Sequence, residues 1–149
     1  MERVVCIPSF LLPHAIHPTT HTDIYAHSLY TAEDGDMNKL EQKLVVELTA
    51  LPNVRWWHRN IPRQGFAING FIKHYSDILI MTKSGKLICA ETKGEHLKND
   101  DSREKIALGQ AWRTVAGKNF RYYMVFENVE NLLPGAVSMS QFIDTVKAL

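Results

Sequence analysis

Three residues in this chain have the types and spacing for phosphoryl chemistry: Asp77, Glu91 and Lys93. They frame the stretch Tyr75–Gly94, YSDILIMTKSGKLICAETKG, in which two apolar runs, Ile78–Met81 and Leu87–Ala90, flank the polar turn Lys83-Ser84-Gly85. That pattern predicts a β-hairpin. A three-residue hairpin loop needs a left-handed last residue, and glycine takes that conformation without steric cost. The loop pairs Thr82 with Lys86, and counting back along both arms sets Asp77 opposite Glu91. Directly paired side chains on one face lie roughly 4.5–5.5 Å apart at Cβ. Lys93, two residues beyond Glu91, projects from the same face. Two carboxylates this close repel unless something positive joins them, and a hard divalent cation with oxygen ligands does so. Magnesium keeps several waters and needs only one or two carboxylates, which leaves room for a substrate phosphate. The ammonium then serves to orient or deprotonate a water, or to stabilise charge on phosphate.

A surface ion triad at a strand end is the bland alternative. The interior of the hairpin argues against it. Ile78, Ile80, Ile88 and Ala90 line one face, and Leu79, Met81, Leu87 and Cys89 the other. Strands apolar on both faces are central ones, and charges at the end of a buried strand are expensive unless used.

Asp77, thirteen further residues, then Glu91-Thr92-Lys93 resembles the PD-(D/E)XK nuclease signature, with Ser76 in place of the usual proline. MNKLEQKL, NVRWWHRN, GFAINGF, the hairpin continued through EHLKNDDSREK, and RYYMVF extend the resemblance from about Met37 to Phe126. In that order they are similar to the nuclease domain of type III restriction subunits and related helicase proteins. The resemblance implies an α/β fold, a restriction-endonuclease-like αβββαβ core whose central mixed sheet is flanked by helices. It implies Mg²⁺, with Mn²⁺ as a substitute, held by Asp77, Glu91, the Thr92 carbonyl and a glutamate of the first helix. Glu41 is the better candidate for that glutamate, with Glu47 as the other. It gives Lys93 the water or the phosphate, and it implies DNA as substrate. A helicase motor or methyltransferase subunit would be the partner. No GxxxxGK[ST] loop is present, so such a motor lies elsewhere than on this sequence.

The remaining elements must position that triad. The 149 residues suffice for one domain with a substantial core. We divide them into an arm (1–36), a catalytic core (37–126) and a C-terminal extension (127–149). A net charge of +1 does not announce a nucleic-acid binder. Cys6 and Cys89 read as reduced core residues of a cytoplasmic protein. No apolar run approaches membrane-spanning length and no signal-peptide pattern opens the chain, so no membrane role is expected.

Val4–Ile7 is a short strand candidate, and 8–36 an irregular arm. His14, His17 and His21 lack the cysteine or second ligand pair that would close a zinc site. Glu33, Asp34 and Asp36 are expected to cap the following helix. Leu40, Leu44, Val45 and Leu48 give Met37–Leu51 one apolar helical face, stopped by Pro52. Val54–His58 is a strand whose adjacent Trp56 and Trp57 face opposite ways; packing is favoured over base stacking for both. Gly65–Ile72 reads as a further strand, interrupted near Asn69-Gly70.

From Leu48 to Ser76 there is no acidic residue, while Arg55, Arg59, Arg63, Lys73, His58 and His74 lie there. That excess is either a phosphate-binding strip leading to Asp77, with Arg59, Arg63, Lys73 and His74 as DNA contacts, or a solvated edge. Asp101 and Glu104 have capping-box spacing for a helix running to Ala116 and stopped by Gly117. On it, Gln110 is a candidate for the catalytic site and Arg113 for DNA. Phe120–Phe126 is a strand beside the hairpin, and a last helix follows Ser138 or Ser140 with Phe142, Ile143 and Val146 inward. Periodicity alone gives α/β or α+β with one central mixed sheet. Three readings follow: a metal-dependent DNA endonuclease, a catalytically inactive nuclease-like module that binds DNA or docks a helicase, and a scaffold without a nucleic-acid role.

Overall fold

The computed structural model describes residues 22–23, 26–28, 33–34, 37–60, 62–63, 65–94, 99–130 and 132–149. The strand expected at Val4–Ile7, Cys6, His14, His17 and His21 lie outside them, as does most of the arm.

β1 (Thr22–Asp23) and β2 (Glu33–Asp34) pair with each other, apart from the main sheet. Asp36 lies outside the described residues, and Glu33 and Asp34 lie in β2 rather than at the start of the next helix, α1 (Lys39–Thr49), so the expected cap is not seen. Asn38 caps α1: its Oδ1 accepts the Glu41 N–H at 2.9 Å, and the Glu41 carboxylate accepts the Asn38 N–H at 3.2 Å. This reciprocal box needs an acceptor three residues ahead of a glutamate, a spacing that Asn38 and Glu41 have. Leu44, Val45 and Leu48 carry the buried face of α1, each contributing about 1.5–3 kcal/mol by leaving water.

β3 (Val54–Arg59) follows. Trp57 is fully buried against α1, while Trp56 packs on the opposite side of the sheet. The Gly65–Ile72 strand expected from sequence does not join this sheet. The chain reverses there, with β4 (Ile68–Asn69) pairing to β5 (Lys73–His74) in a separate small hairpin. Asn69-Gly70 is turn chemistry, and it outweighs the alternation of the apolar residues around it.

β6 (Ile78–Thr82) and β7 (Leu87–Lys93) form the expected antiparallel hairpin. Thr82 N–H donates to Lys86 O at 3.0 Å, and Gly85 has φ 85°. α2 (Asp100–Ala116) starts two residues earlier than the Asp101 cap would place it. Asn99 is the cap, its Oδ1 accepting the Ser102 N–H at 3.0 Å. Gly117, with φ 99°, ends the helix. β8 (Phe120–Phe126), β9 (Val137–Ser138) and α3 (Met139–Lys147) complete the order, α3 capped by Ser138 and burying Phe142, Ile143 and Val146.

The five-stranded sheet runs β3-β6-β7-β8-β9. β6 pairs antiparallel with both β3 and β7, whereas β7–β8 and β8–β9 are parallel. The protein is thus α/β with a central mixed sheet, and β7 is its middle strand. α1 and α3 cover one face, over Ile78, Ile80, Ile88 and Ala90. α2 and the β4–β5 hairpin cover the other, over Leu79, Cys89, Tyr122 and Met124. Cys89 is fully buried, and burial pushes its thiol up to about 12, as expected for an inert core cysteine. α2 lies unusually close to β8: a Cβ on Gly109 would fall 2.1 Å from the Tyr122 ring.

Candidate active site

The open end of the β6–β7 hairpin collects the titratable groups. Asp77 immediately precedes β6, and its carbonyl accepts the Asn60 N–H at 2.8 Å, tying it to the end of β3. The register pairs Ile78 with Ala90, so one step outward Asp77 meets Glu91. Asp77 Oδ2 accepts both the N–H and the hydroxyl of Thr92, at 2.8 and 2.9 Å. Those two bonds fix the carboxylate and leave Oδ1 for another ligand. Sequence assigned Thr92 a carbonyl role; the visible contribution of Thr92 is to aim Asp77.

Glu91 is 4% exposed. Its Oε1 lies 3.2 Å from Lys93 Nζ and 3.8 Å from Lys105 Nζ. Lys105 is also 3.1 Å from Asp101. Glu91 Oε2 is buried without a hydrogen-bond partner. His74 lies beside it, with Nε2 3.9 Å away and hydrogen-bonded to Tyr122 Oη at 2.9 Å. The positive charge that holds the two carboxylates together in this structure is thus a pair of ammonium groups.

Burial, and then the neighbouring Asp77, push Glu91 up to about 8 against the pull of Lys93 and Lys105. Burial also raises Asp77, opposed by its two bonds from Thr92. Glu41 is raised by burial and by Asp77, which places it in the same field. Lys93, which burial alone would depress, is held above its ordinary range by Glu91. Burial and the two lysines lower His74 to about 4, so its ring is neutral. Neighbouring carboxylates whose ionisation is disfavoured by burial and by each other are stabilised as anions by an adjacent positive charge.

Glu41, Asp77, Glu91, Thr92 and Lys93 line one open cavity of about 470 Å³, roofed by the first turn of α1. Glu47 does not reach it; it is exposed and lines a different cavity with Lys43 and Glu127. Of the two helix glutamates, Glu41 is the one that lines this cavity. Among the described residues no three His, Cys, Asp or Glu side chains converge as a ready-made metal cage. Magnesium does not require one, since one or two carboxylates plus water suffice. The orphaned Glu91 Oε2 and the free Asp77 Oδ1 are the oxygens that fit such an ion.

The other candidates separate. Arg59 lies 4.0 Å from Glu41, beside the cavity. Arg63 is exposed in a turn with φ 68°, and Lys73 is exposed with its Nζ 5.5 Å from the Tyr75 ring centroid. His74 is turned inward, 2% exposed, beneath Glu91 and away from any solvent-borne phosphate. Gln110 is half-buried near Gly135 and outside the cavity lining, and Arg113 sits in the last turn of α2. Sequence reasoning missed Lys105. The available signal was its stripe: Asp101, Lys105 and Gly109 recur every four residues, and Gly109 marks the side of α2 pressed on the sheet. No family model, curated protein or solved structure matches this chain.

Proposed function

We propose that this chain is a metal-dependent endonuclease domain that hydrolyses DNA phosphodiester bonds, with a restriction-endonuclease-like core of the PD-(D/E)XK kind. The observation that carries the reading is the juxtaposition of Asp77 and Glu91 at the end of a buried central hairpin, with Lys93 3.2 Å from Glu91 and Glu91 Oε2 left orphaned. A buried carboxylate oxygen without a partner calls for one, and a cation can supply it.

Asp77 and Glu91 would hold Mg²⁺ or Mn²⁺, which when bound supplies charge neutralisation at the phosphate and an acidified water. Thr92 keeps Asp77 aimed through its two bonds to Oδ2. With the ion bound, the Lys93 ammonium would act on the attacking water or on the phosphate oxygens. Lys105, beside the same Glu91 oxygen as Lys93, keeps a positive charge on that carboxylate. Glu41 faces Asp77 across the cavity and orders water there. Arg59, Arg63 and Lys73 contact the phosphates that lead to the cut. A helicase motor or methyltransferase on another chain is the partner this reading implies. No helix among the described residues is long and apolar enough to cross a membrane.

The test is cleavage of plasmid and single-stranded DNA in Mg²⁺ against EDTA, for wild type and Lys93→Ala. Lysine has no acceptor atom and cannot ligate the ion. Lys93→Ala should therefore lose cleavage while still binding DNA and Mg²⁺. Cleavage at the wild-type rate by Lys93→Ala removes this triad from consideration. A wild type that binds DNA without cutting it points to the inactive module instead.

A further inference from the structure

The β4–β5 hairpin stands off the main sheet and carries a residue that the packing does not explain. Its loop is Gly70-Phe71-Ile72, closed by a bond from Gly70 N–H to Ile72 O at 3.0 Å. Ile68 is 2% exposed, and Ile72 packs on the same core as Ile68. Gly70 is seated so tightly that a Cβ there would fall 2.4 Å from Leu108 Cδ1. The loop thus rests on the core on both sides of its apex. Phe71, the apex, is 66% exposed, more than Val46, Val115 or Val129, the other exposed large hydrophobic residues among those described. Burying a phenylalanine is worth about 1.5–3 kcal/mol, which the fold forgoes here. Turn apices favour Gly, Asn, Asp and Ser, so local conformation gives no reason for an aromatic ring either.

The chain on either side of the ring carries charge of one sign. Lys73 and Arg63 are exposed, and no acidic residue occurs between Leu48 and Ser76. The ribbon that leaves the loop runs directly into Asp77. His74 and Ser76, both 2% exposed, fix it on the way. Six residues of extended chain reach at most ~20 Å, which at ~3.4 Å per nucleotide along a strand is within about six nucleotides of the carboxylates. A rigidly presented aromatic face beside cations is what a nucleobase stacks on.

We propose that Phe71 is a stacking platform for one unpaired base of a polynucleotide whose backbone passes Lys73 toward Asp77 and Glu91; only that last direction rests on the nuclease reading. A base in closed duplex has both faces covered by its neighbours. The substrate is therefore single-stranded, or opened at this point. Every base has a π-face, so the contact is indifferent to sequence.

The test uses the full chain in EDTA with single-stranded oligonucleotides carrying one 2-aminopurine, moved base by base. Stacking on Phe71 quenches the probe at one or two positions. Phe71→Leu keeps an apolar side chain without a π-face. It should lose the quenching and weaken binding by roughly 5- to 150-fold, while Phe71→Trp retains both. The position is exposed, so neither change should disturb folding, which circular dichroism checks. Quenching unchanged in Phe71→Leu overturns the proposal, as does equal quenching in fully paired duplex. Cleavage in Mg²⁺ without Phe71-dependent quenching overturns the platform alone; Phe71-dependent quenching without cleavage supports the platform and overturns the nuclease reading alone.

Discussion

Replacing Glu91 by glutamine in the metal-free chain should remove a pH dependence of stability that the wild type has near neutrality. Burial and Asp77 push the Glu91 carboxyl from an ordinary 4.5 to about 8. Between those values the folded chain binds more protons than the unfolded one. The stabilisation is therefore complete below 4.5 and is lost as pH rises through 8. His74 acts in the opposite sense: lowered from 6.5 to about 4, it contributes stability above 6.5 that is lost as pH falls through 4. The two trends offset one another below pH 6.5, so the loss from Glu91 shows between 6.5 and 8. At 1.36 kcal/mol per pH unit, that window is worth up to about 2 kcal/mol. In a domain of this size, that is a fall in Tm of about 4–8 °C. Thermal or urea denaturation in EDTA across pH 5.5 to 9 reads it directly. Glu91→Gln changes the shape of the site little and cannot titrate, so its profile should be flat or rising from 6.5 to 8. Asp77 and Glu41 are also pushed up and remain in the variant, so the comparison isolates Glu91. A parallel fall in both proteins would refute the assignment of the buried proton to Glu91. Added Mg²⁺ should reduce the wild-type fall, because the cation binds the ionised carboxylate, and leave Glu91→Gln unaffected.

Gly109→Ala would press a methyl group into the Tyr122 ring at 2.1 Å; overpacking of this kind costs about 1–3 kcal/mol. By lifting α2 it should also lower cleavage through Lys105, one turn away, which a comparison of rate against melting temperature will separate from simple unfolding. Asp77→Asn removes one negative charge from the ligand pair, so it should weaken Mg²⁺ affinity, and higher Mg²⁺ should partly restore its rate. Arg63→Ala with Lys73→Ala should flatten the salt dependence of DNA binding by about one unit of slope per lost phosphate contact. An unchanged slope would turn this strip away from the substrate.

The hairpin and its register were legible because local rules fix them. The polar turn with Gly85 sets the loop, and the loop sets every pair up to Asp77 and Glu91. The two-sided apolar pattern of Ile78–Met81 and Leu87–Ala90 likewise marked the middle of the sheet. Helix limits were less legible: Asn38 and Asn99 cap α1 and α2, while more acidic neighbours drew the sequence reading. Both caps depend on which side chain reaches a backbone N–H, and charge does not decide that. Gly65–Ile72 was misplaced because alternating apolar residues look alike in a sheet strand and in a small hairpin packed on a helix. Lys105 left only its stripe with Asp101 and Gly109 on α2, and the inward turn of His74 left no signal. Each depends on how closely α2 and the β4–β5 hairpin approach β7, a tertiary distance set in part by Gly109 and Tyr122.

The mixed sheet also dictates the order in which the site can be assembled. Asp77 and Glu91 are joined by a tight hairpin, the kind of contact that closes within microseconds and needs little of the chain. Lys105 arrives by another route. β8 runs parallel to β7, so the connection between them must cross over through α2. Pairings of that kind are non-local and slow. A nascent chain therefore brings its two acids together before the second ammonium can balance them. During that interval the hairpin carries uncompensated negative charge on what will become the most buried strand. Counter-ions in the medium, divalent ones above all, would speed passage through that stage, so Mg²⁺ should accelerate refolding in a concentration range below that needed to change the stability of the finished fold.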